Sequence, residues 1–361
     1  MSERREFFRQ ATAVVVGLAA RDAGAVSVQQ RAAAMPTPHA SALMNVFGLK
    51  YPIFSAGMPG VATPELVIAV SNAGGLGAIG TIGAPAADVR QRVSRIKSET
   101  HRPFAVNYPL AFDPVTLPVA LNAGAPIIQF AWGIPAAEAV AAIRKAGAKM
   151  GIQISNAAGA RRALDAGADY LICQGTEAGG HVQATRALYE VLPAVIDEAK
   201  AVPVLAGGGI ANGAHIRRAL LAGASGVLIG TRFVATQEAG GHDEYKGAII
   251  GAKADDTVLT VCFQDGWANA PHRVLRNRTV EMWEAAGCPP AGKRLGEGDV
   301  VTTNAVTGVT KRRYGISLPG RNDRGAPMEL ALYAGQGVDA IRDIPGAGEL
   351  VARLWQECLD A

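Results

Sequence analysis

Six histidines are scattered through the 361-residue chain, and one of them ends a run built for exposure: Gln174-Gly175-Thr176-Glu177-Ala178-Gly179-Gly180-His181. Glycines place this imidazole on a loop, and an imidazole exchanges protons near neutral pH, so His181 is the candidate for general acid–base work. Two further glycine clusters have a chemical meaning. Val204-Leu205-Ala206-Gly207-Gly208-Gly209-Ile210 leads into a helical pattern, and Val227-Leu228-Ile229-Gly230-Thr231-Arg232 repeats the arrangement after the next apolar run. Bare backbone N–H groups at the head of a helix meet the charge of a phosphate, and the Thr231 hydroxyl adds a donor. Such a cradle fits a flavin nucleotide and a sugar phosphate alike. Asn107, Gln129, Gln153 and Gln174 each close an apolar run. An amide both donates and accepts, so four of them without paired carboxylates suit the edge of a flat heteroaromatic ring better than a hydrolase site. No GxSxG elbow, Walker loop or HExxH pair occurs, and no catalytic metal is predicted. Of the other histidines, His272 in Asn269-Ala270-Pro271-His272-Arg273 is placed to line a site mouth. His215 falls on a helix with a surface role, and His39, His101 and His242 carry no signal.

These residues need elements to hold them. Eight short runs are almost continuously apolar: Pro52–Ala56, Leu76–Gly80, Phe104–Tyr108, Pro126–Phe130, Lys149–Ile154, Tyr170–Gln174, Val202–Ala206 and Gly226–Gly230. That pattern marks parallel strands buried on both faces. Helical stretches lie between them at Pro64–Asn72, Ala86–Thr100, Ala136–Ala146, Ala157–Ala166, Leu188–Lys200 and Ala214–Ala222, with Pro64 and Pro135 suited to first turns. An Ala-Gly phrase recurs where helix gives way to strand, at Gly74, Gly124, Gly147, Gly167 and Gly223. These glycines suit left-handed helix ends, so they are read as structural. Eight βα units predict a (β/α)8 TIM barrel; a doubly wound sheet is the second choice and usually stops short of eight strands. In a barrel, the groups that follow strands form the active mouth. Gly57 and Met58 after the first run therefore join His181 and the phosphate clusters.

The rhythm holds over residues 41–240 and breaks over residues 241–361. There Thr257–Phe263 reads as a strand, and Arg276–Ala286 and Gly348–Leu359 read as helices, giving a mostly helical lid over the mouth. Residues 1–40 read as leader and linker. Arg4-Arg5 with Phe7-Phe8-Arg9 precedes the apolar run Ala11 to Ala20 and an Ala23-Gly24-Ala25 step. This has the form of a twin-arginine export signal, which implies a periplasmic home; a leader on a cytoplasmic protein is the alternative. The run is too short to span a bilayer. Glycine, 43 residues of a chain that is 49% apolar and 18% charged, excludes global disorder and favours an α/β enzyme with many tight turns. The net charge of +4 is scattered, which gives no footprint for nucleic acid. The four cysteines form no CxxC pair, so neither zinc nor a disulfide framework is signalled.

From about Val46 to the C-terminus the chain resembles the nitronate monooxygenase (2-nitropropane dioxygenase) family. The most specific stretches are Gly175–His181, Leu205–Gly213 and Gly230-Thr231-Arg232-Phe233, with Pro52–Met58 and Ala334-Gly335-Gln336 also fitting. The resemblance implies an FMN barrel. The phosphate would sit on Gly207, Gly208, Gly209, Gly230 and Thr231. The ring would lie near Gly57, Met58, Asn107, Gln153 and Gln174, with Gly180 beside it. His181 would be the active-site histidine, serving as base toward a neutral nitroalkane or orienting the anionic nitronate. The implied reaction oxidises an alkyl nitronate with O2 to a carbonyl compound and nitrite. The wider flavin-barrel group also implies an alternative, an NAD(P)H-dependent reductase of quinones or enoyl thioesters. A flavin-free phosphosugar-binding barrel ranks third. Many relatives carry lysine at Gln153, often an acidic residue at Gln174, and a different pair at Val182-Gln183.

Overall fold

The eight apolar runs form the staves of one barrel in the structure, a computed structural model that describes residues 35–361. Of the leader and linker expected over residues 1–40, residues 1–34 lie outside the described residues, and the end of the expected linker, Pro38 to Ala40, instead opens a helix. In chain order the barrel reads α1 (Pro38–Phe47), β1 (Ile53–Ser55), α2 (Pro64–Ala73), β2 (Gly77–Gly80), α3 (Ala86–Glu99), β3 (Phe104–Pro109), α4 (Leu117–Asn122), β4 (Ile127–Ala131), α5 (Ala137–Lys145), β5 (Lys149–Ile154), α6 (Ala157–Asp165) and β6 (Tyr170–Gln174). A two-residue strand β7 (Gly180–His181) precedes α7 (Leu188–Ala199), β8 (Val204–Gly207), α8 (Gly213–Leu221), β9 (Gly226–Ile229) and α9 (Thr231–Val234). The parallel sheet runs β1-β9-β8-β6-β5-β4-β3-β2. Ser55 N–H to Leu76 O and Leu76 N–H to Ile53 O, both 2.9 Å, join its two edges.

Local chemistry explains the turns. Thr63 caps α2 by accepting from the Leu66 N–H, and Pro64 occupies the first turn as expected; Pro135 instead precedes α5. At the helix-to-strand joints Gly74, Gly124, Gly147, Gly167 and Gly223 all have φ between 70° and 102°, a backbone that side chains disfavour. The barrel floor is apolar and plugged from below by α1. Leu43 and Phe47 pack with Phe54, Leu76, Tyr170, Ile172 and Leu205. The Phe47, Phe54 and Tyr170 rings meet edge-on at 5.4 to 6.2 Å. Gly151 stands opposite Tyr170 because a Cβ there would run into the phenol ring.

The rest of the chain comprises α10 (Asp243–Gly251), β10 (Thr257–Thr260), β11 (His272–Leu275), α11 (Arg278–Ala285), β12 (Val300–Asn304), β13 (Thr310–Arg312), β14 (Asp323–Gly325) and α12 (Ala347–Asp360). Besides the expected helices, this lid holds two small antiparallel sheets, β10-β11-β7 and β13-β12-β14. The first ties the lid to the barrel, because β11 pairs His272 with His181 and Arg273 with Gly180. The last helix returns to the barrel wall between α2 and α8. There Glu357 accepts from the Gly213 N–H at 2.9 Å and so satisfies an exposed donor at the head of α8.

Phe47→Ala removes the ring that closes the floor and should lower unfolding free energy by about 3–5 kcal/mol. Leu359→Ala, on an exposed position, should change it by less than about 0.5 kcal/mol. Paired denaturant titrations check the contrast.

Candidate active site

At the carboxyl ends of the staves lies a cavity of about 740 Å³. Gly57, Met58, Asn107, Gln153, Gln174, Gly180, His181, Gly207, Gly208, Gly209, Gly230 and Thr231 all line it, so the residues singled out from sequence meet at one place. One end is almost pure backbone. Gly208 and Gly209 take φ of 123° and 68°. A Cβ on Gly335 would stand 2.7 Å from the Glu177 carbonyl, and one on Gly337 would collide with the Gly209 carbonyl. Three loops therefore meet main chain to main chain. The Gly335 N–H donates to Thr231 Oγ1 at 3.0 Å, which leaves the hydroxyl hydrogen of Thr231 available to a ligand. On the far side, Gly57 lets the loop after β1 pass Asn107, where a Cβ would meet the asparagine side chain.

His181 stands at the other end among rings. Its imidazole stacks on Trp267 at 4.1 Å and 16°, with His272 at 5.3 Å, Tyr333 at 5.5 Å and Trp132 at 6.4 Å. Its Nε2 is buried without a hydrogen-bond partner among the described residues. Burial, with a further push from His272, lowers its pKa to about 3. His272 is fully buried and does not line the cavity. Its Nε2 accepts from the Phe263 N–H at 3.1 Å, so its Nδ1 donates to the Ala270 carbonyl at 2.9 Å. Burial lowers its pKa to about 4. His215 is half-buried and accepts from the Ala211 N–H at 3.3 Å, which steadies the turn after Gly209 from inside.

The strand-end amides divide. Gln174 has both ends occupied: Nε2 donates to the His181 carbonyl at 3.1 Å and Oε1 accepts from the Gln183 N–H at 2.9 Å. It therefore fixes the His181 loop. The Gln129 Nε2, in a side chain 1% exposed, lacks a partner among the described residues. Arg273 donates from Nε and Nη2 to the Thr176 carbonyl, at 3.1 and 2.9 Å, and holds the start of the same loop. Sequence reasoning missed Trp132, Trp267, Arg273 and Tyr333, since no spacing links them, and it marked Gln183 only as a departure from the family pattern. It also missed Lys311 and Arg321, which bring cations into the lining from the lid. The lining contains no carboxylate, a polarity that favours an anionic ligand. Among the described residues no group of three or more His, Cys, Asp or Glu is placed to hold a metal ion, and no helix is long and apolar enough to cross a membrane.

Fold and mouth together define a (β/α)8-barrel enzyme that works beneath a lid anchored at its histidine. The nitronate monooxygenase family model matches residues 40–118 and 114–357, and the chain belongs to that family of oxidoreductases. It is 31% identical to a nitronate monooxygenase of Pseudomonas aeruginosa, over 87% of this chain and 97% of that one. It is 35% identical, over 67% of this chain and 68% of the relative, to a Mycobacterium tuberculosis (3aS,4S,5R,7aS)-5-hydroxy-7a-methyl-1-oxo-octahydro-1H-indene-4-carboxyl-CoA dehydrogenase. Among solved structures, a nitroalkane oxidase from Streptomyces ansochromogenes superposes with a TM-score of 0.72 at 29% identity, covering 89% of this chain and 98% of that one. FabK from Thermotoga maritima superposes at 0.70 and 26% identity, covering 88% and 96%.

Two buried neutral imidazoles make stability depend on pH. Unfolded, each takes up a proton near pH 6.5; folded, His272 does so only near 4 and His181 near 3. Their stabilising contribution is complete above about pH 6.5 and is lost as pH falls toward those values, by about 1.4 kcal/mol per pH unit for each ring. Denaturation of the protein between pH 6.5 and 5 should show this slope. His272→Gln, which keeps a donor and an acceptor but does not titrate, should halve it.

Proposed function

We propose that the protein is an FMN-dependent nitronate monooxygenase that oxidises alkyl nitronates with O2 to a carbonyl compound and nitrite. The observation that carries this reading is a single cavity, free of carboxylates, with a glycine cradle at one end and a neutral imidazole in an aromatic setting at the other. Gly207, Gly208, Gly209, Gly230 and Thr231 would hold the phosphate through N–H groups and the Thr231 hydroxyl. Gly57 and Met58 would face the ring, Gly180 would leave it room, and the side chains of Asn107 and Gln153 would reach its edge; Gln174 would act through the loop it fixes. FMN, when bound, supplies the electron acceptor for the nitronate and the means of reducing O2.

His181 favours the nitronate over the neutral nitroalkane. With a pKa near 3 its imidazole is a weak base toward carbon, but it remains a neutral hydrogen-bonding group across the physiological range. A ligand already carrying negative charge needs orientation more than deprotonation. Trp267 and Tyr333 exclude water around the ring, which strengthens each polar contact made there.

The likeness to FabK favours a second reading, an NAD(P)H-dependent reductase on the same frame. Anaerobic mixing separates the two: the proposed enzyme is bleached by nitronate and not by NADH, whereas rapid bleaching by NADH overturns the monooxygenase reading. His181→Ala should retain the flavin spectrum and lose about 100-fold or more in kcat/KM on preformed nitronate. The wild-type profile should show no imidazole limb near pH 6.5. Normal turnover in the variant, or such a limb, removes His181 from the assigned role.

A further inference from the structure

Trp132 follows β4 directly, and its backbone is left-handed, with φ of 62°. A non-glycine residue in that region is strained, and it persists where its surroundings hold it. Here the holder is visible. The Trp132 N–H donates to Gln183 Oε1 at 2.9 Å, and Gln183 Nε2 donates to the Gln153 carbonyl at 3.0 Å. The Gln183 N–H in turn donates to Gln174 Oε1, whose amide nitrogen holds the His181 carbonyl. One side chain thus ties the ends of β4 and β5 to the loop that carries the histidine.

The tie aims the Trp132 indole into the cavity, where it meets Trp267 at 5.0 Å and 65°. Trp267 belongs to a loop whose neighbours are exposed, yet its own ring is half-buried, packed on Phe112 at 5.0 Å and on His181. The two indoles form a continuous aromatic surface next to the unpartnered Nε2. Aromatic surfaces favour flat partners beyond what simple burial gives.

We propose that Trp132 is a specificity-determining residue and Gln183 its positioning residue, and that the wall they form with Trp267 selects substrates whose reacting carbon bears an aryl or other planar unsaturated group over those with a short alkyl chain. The reacting group is taken from the proposed function, on which this inference rests; the wall is tested independently of turnover.

The flavin-loaded protein is titrated with benzoate and with propionate, two unreactive carboxylates that differ in the flat ring, and binding is read from the flavin absorbance. Benzoate should bind about tenfold more tightly. Trp132→Ala should abolish that preference, Trp132→Phe should retain most of it, and Gln183→Leu should lose it without loss of flavin. Gln183→Met keeps the length of the side chain but has no amide to donate to the Gln153 carbonyl, and it should lose the preference too, which covers the case in which the leucine variant fails to fold. Equal binding of the two acids by the wild type, or equal weakening of both in Trp132→Ala, overturns the wall. A benzoate preference that survives in Gln183→Leu or in Gln183→Met overturns the positioning role. The kcat/KM ratio for the nitronates of phenylnitromethane and 1-nitropropane is then measured. Turnover of both without an aryl preference overturns the inference while sparing the proposed function. Turnover of neither, with the benzoate preference intact, overturns the proposed function while sparing the wall.

Discussion

The mouth of this barrel depends on backbone meeting backbone. Gly179 touches the turn at Ala334-Gly335, Gly335 touches the Glu177 carbonyl, and Gly337 touches Gly209, each at a separation that a Cβ would forbid. This contact seats the lid segment between the loops after β6 and β8. Once it is seated, the Gly335 N–H reaches Thr231, the Gln336 N–H reaches the Glu177 carbonyl, and Tyr333 stands beside His181. A methyl group on any of these glycines would separate the cradle from the histidine, so the lid and the site are one construction.

The second fastening is the pairing of β7 with β11. Two residues of strand would be trivial in isolation. Arg273 grips the Thr176 carbonyl, Gln174 grips the backbone on either side of Val182, and the Val182 N–H donates to Pro271 at 2.8 Å. A histidine on a loop rich in glycine is thereby given the rigidity of a sheet. That rigidity lets burial lower its pKa so far, because a loop free to move would carry the ring to water.

Much of this was legible in the sequence, for particular reasons. The eight staves showed because strands covered on both faces are apolar throughout, and the floor glycines showed because they recur at one kind of joint. The mouth residues showed because barrel geometry sends everything that follows a strand to one end. The aromatic surroundings of His181 did not show: Trp132, Trp267 and Tyr333 become its neighbours only after folding, and no local period links them. The sheet of β12, β13 and β14 was hidden for a related reason. Strands β12, β13 and β14 have three to five residues, and the first bears the exposed Val300, so neither length nor alternation rises above the background of a loop. Gln174 lines the cavity as expected, but its second task was not legible. An amide at a strand end serves a ligand or a neighbouring backbone equally well, and here the backbone occupies both its atoms.

Charge then distinguishes this site from a generic barrel mouth. The barrel contributes amides, glycines and a neutral imidazole, and Gln153 keeps neutrality where a cation would change the balance. The cations in the lining, Lys311 and Arg321, come from the lid, and Lys311 is already paired with the buried Asp323 at 2.6 Å. A negatively charged ligand at the barrel end would therefore be held by oriented N–H and O–H dipoles, which act at short range and require close fit. At the aromatic end, shape does the discriminating. The barrel supplies a polar frame tolerant of several chemistries, and on the proposed reading selection among substrates would fall to loop groups, the lid together with Trp132 and the Gln183 that positions it.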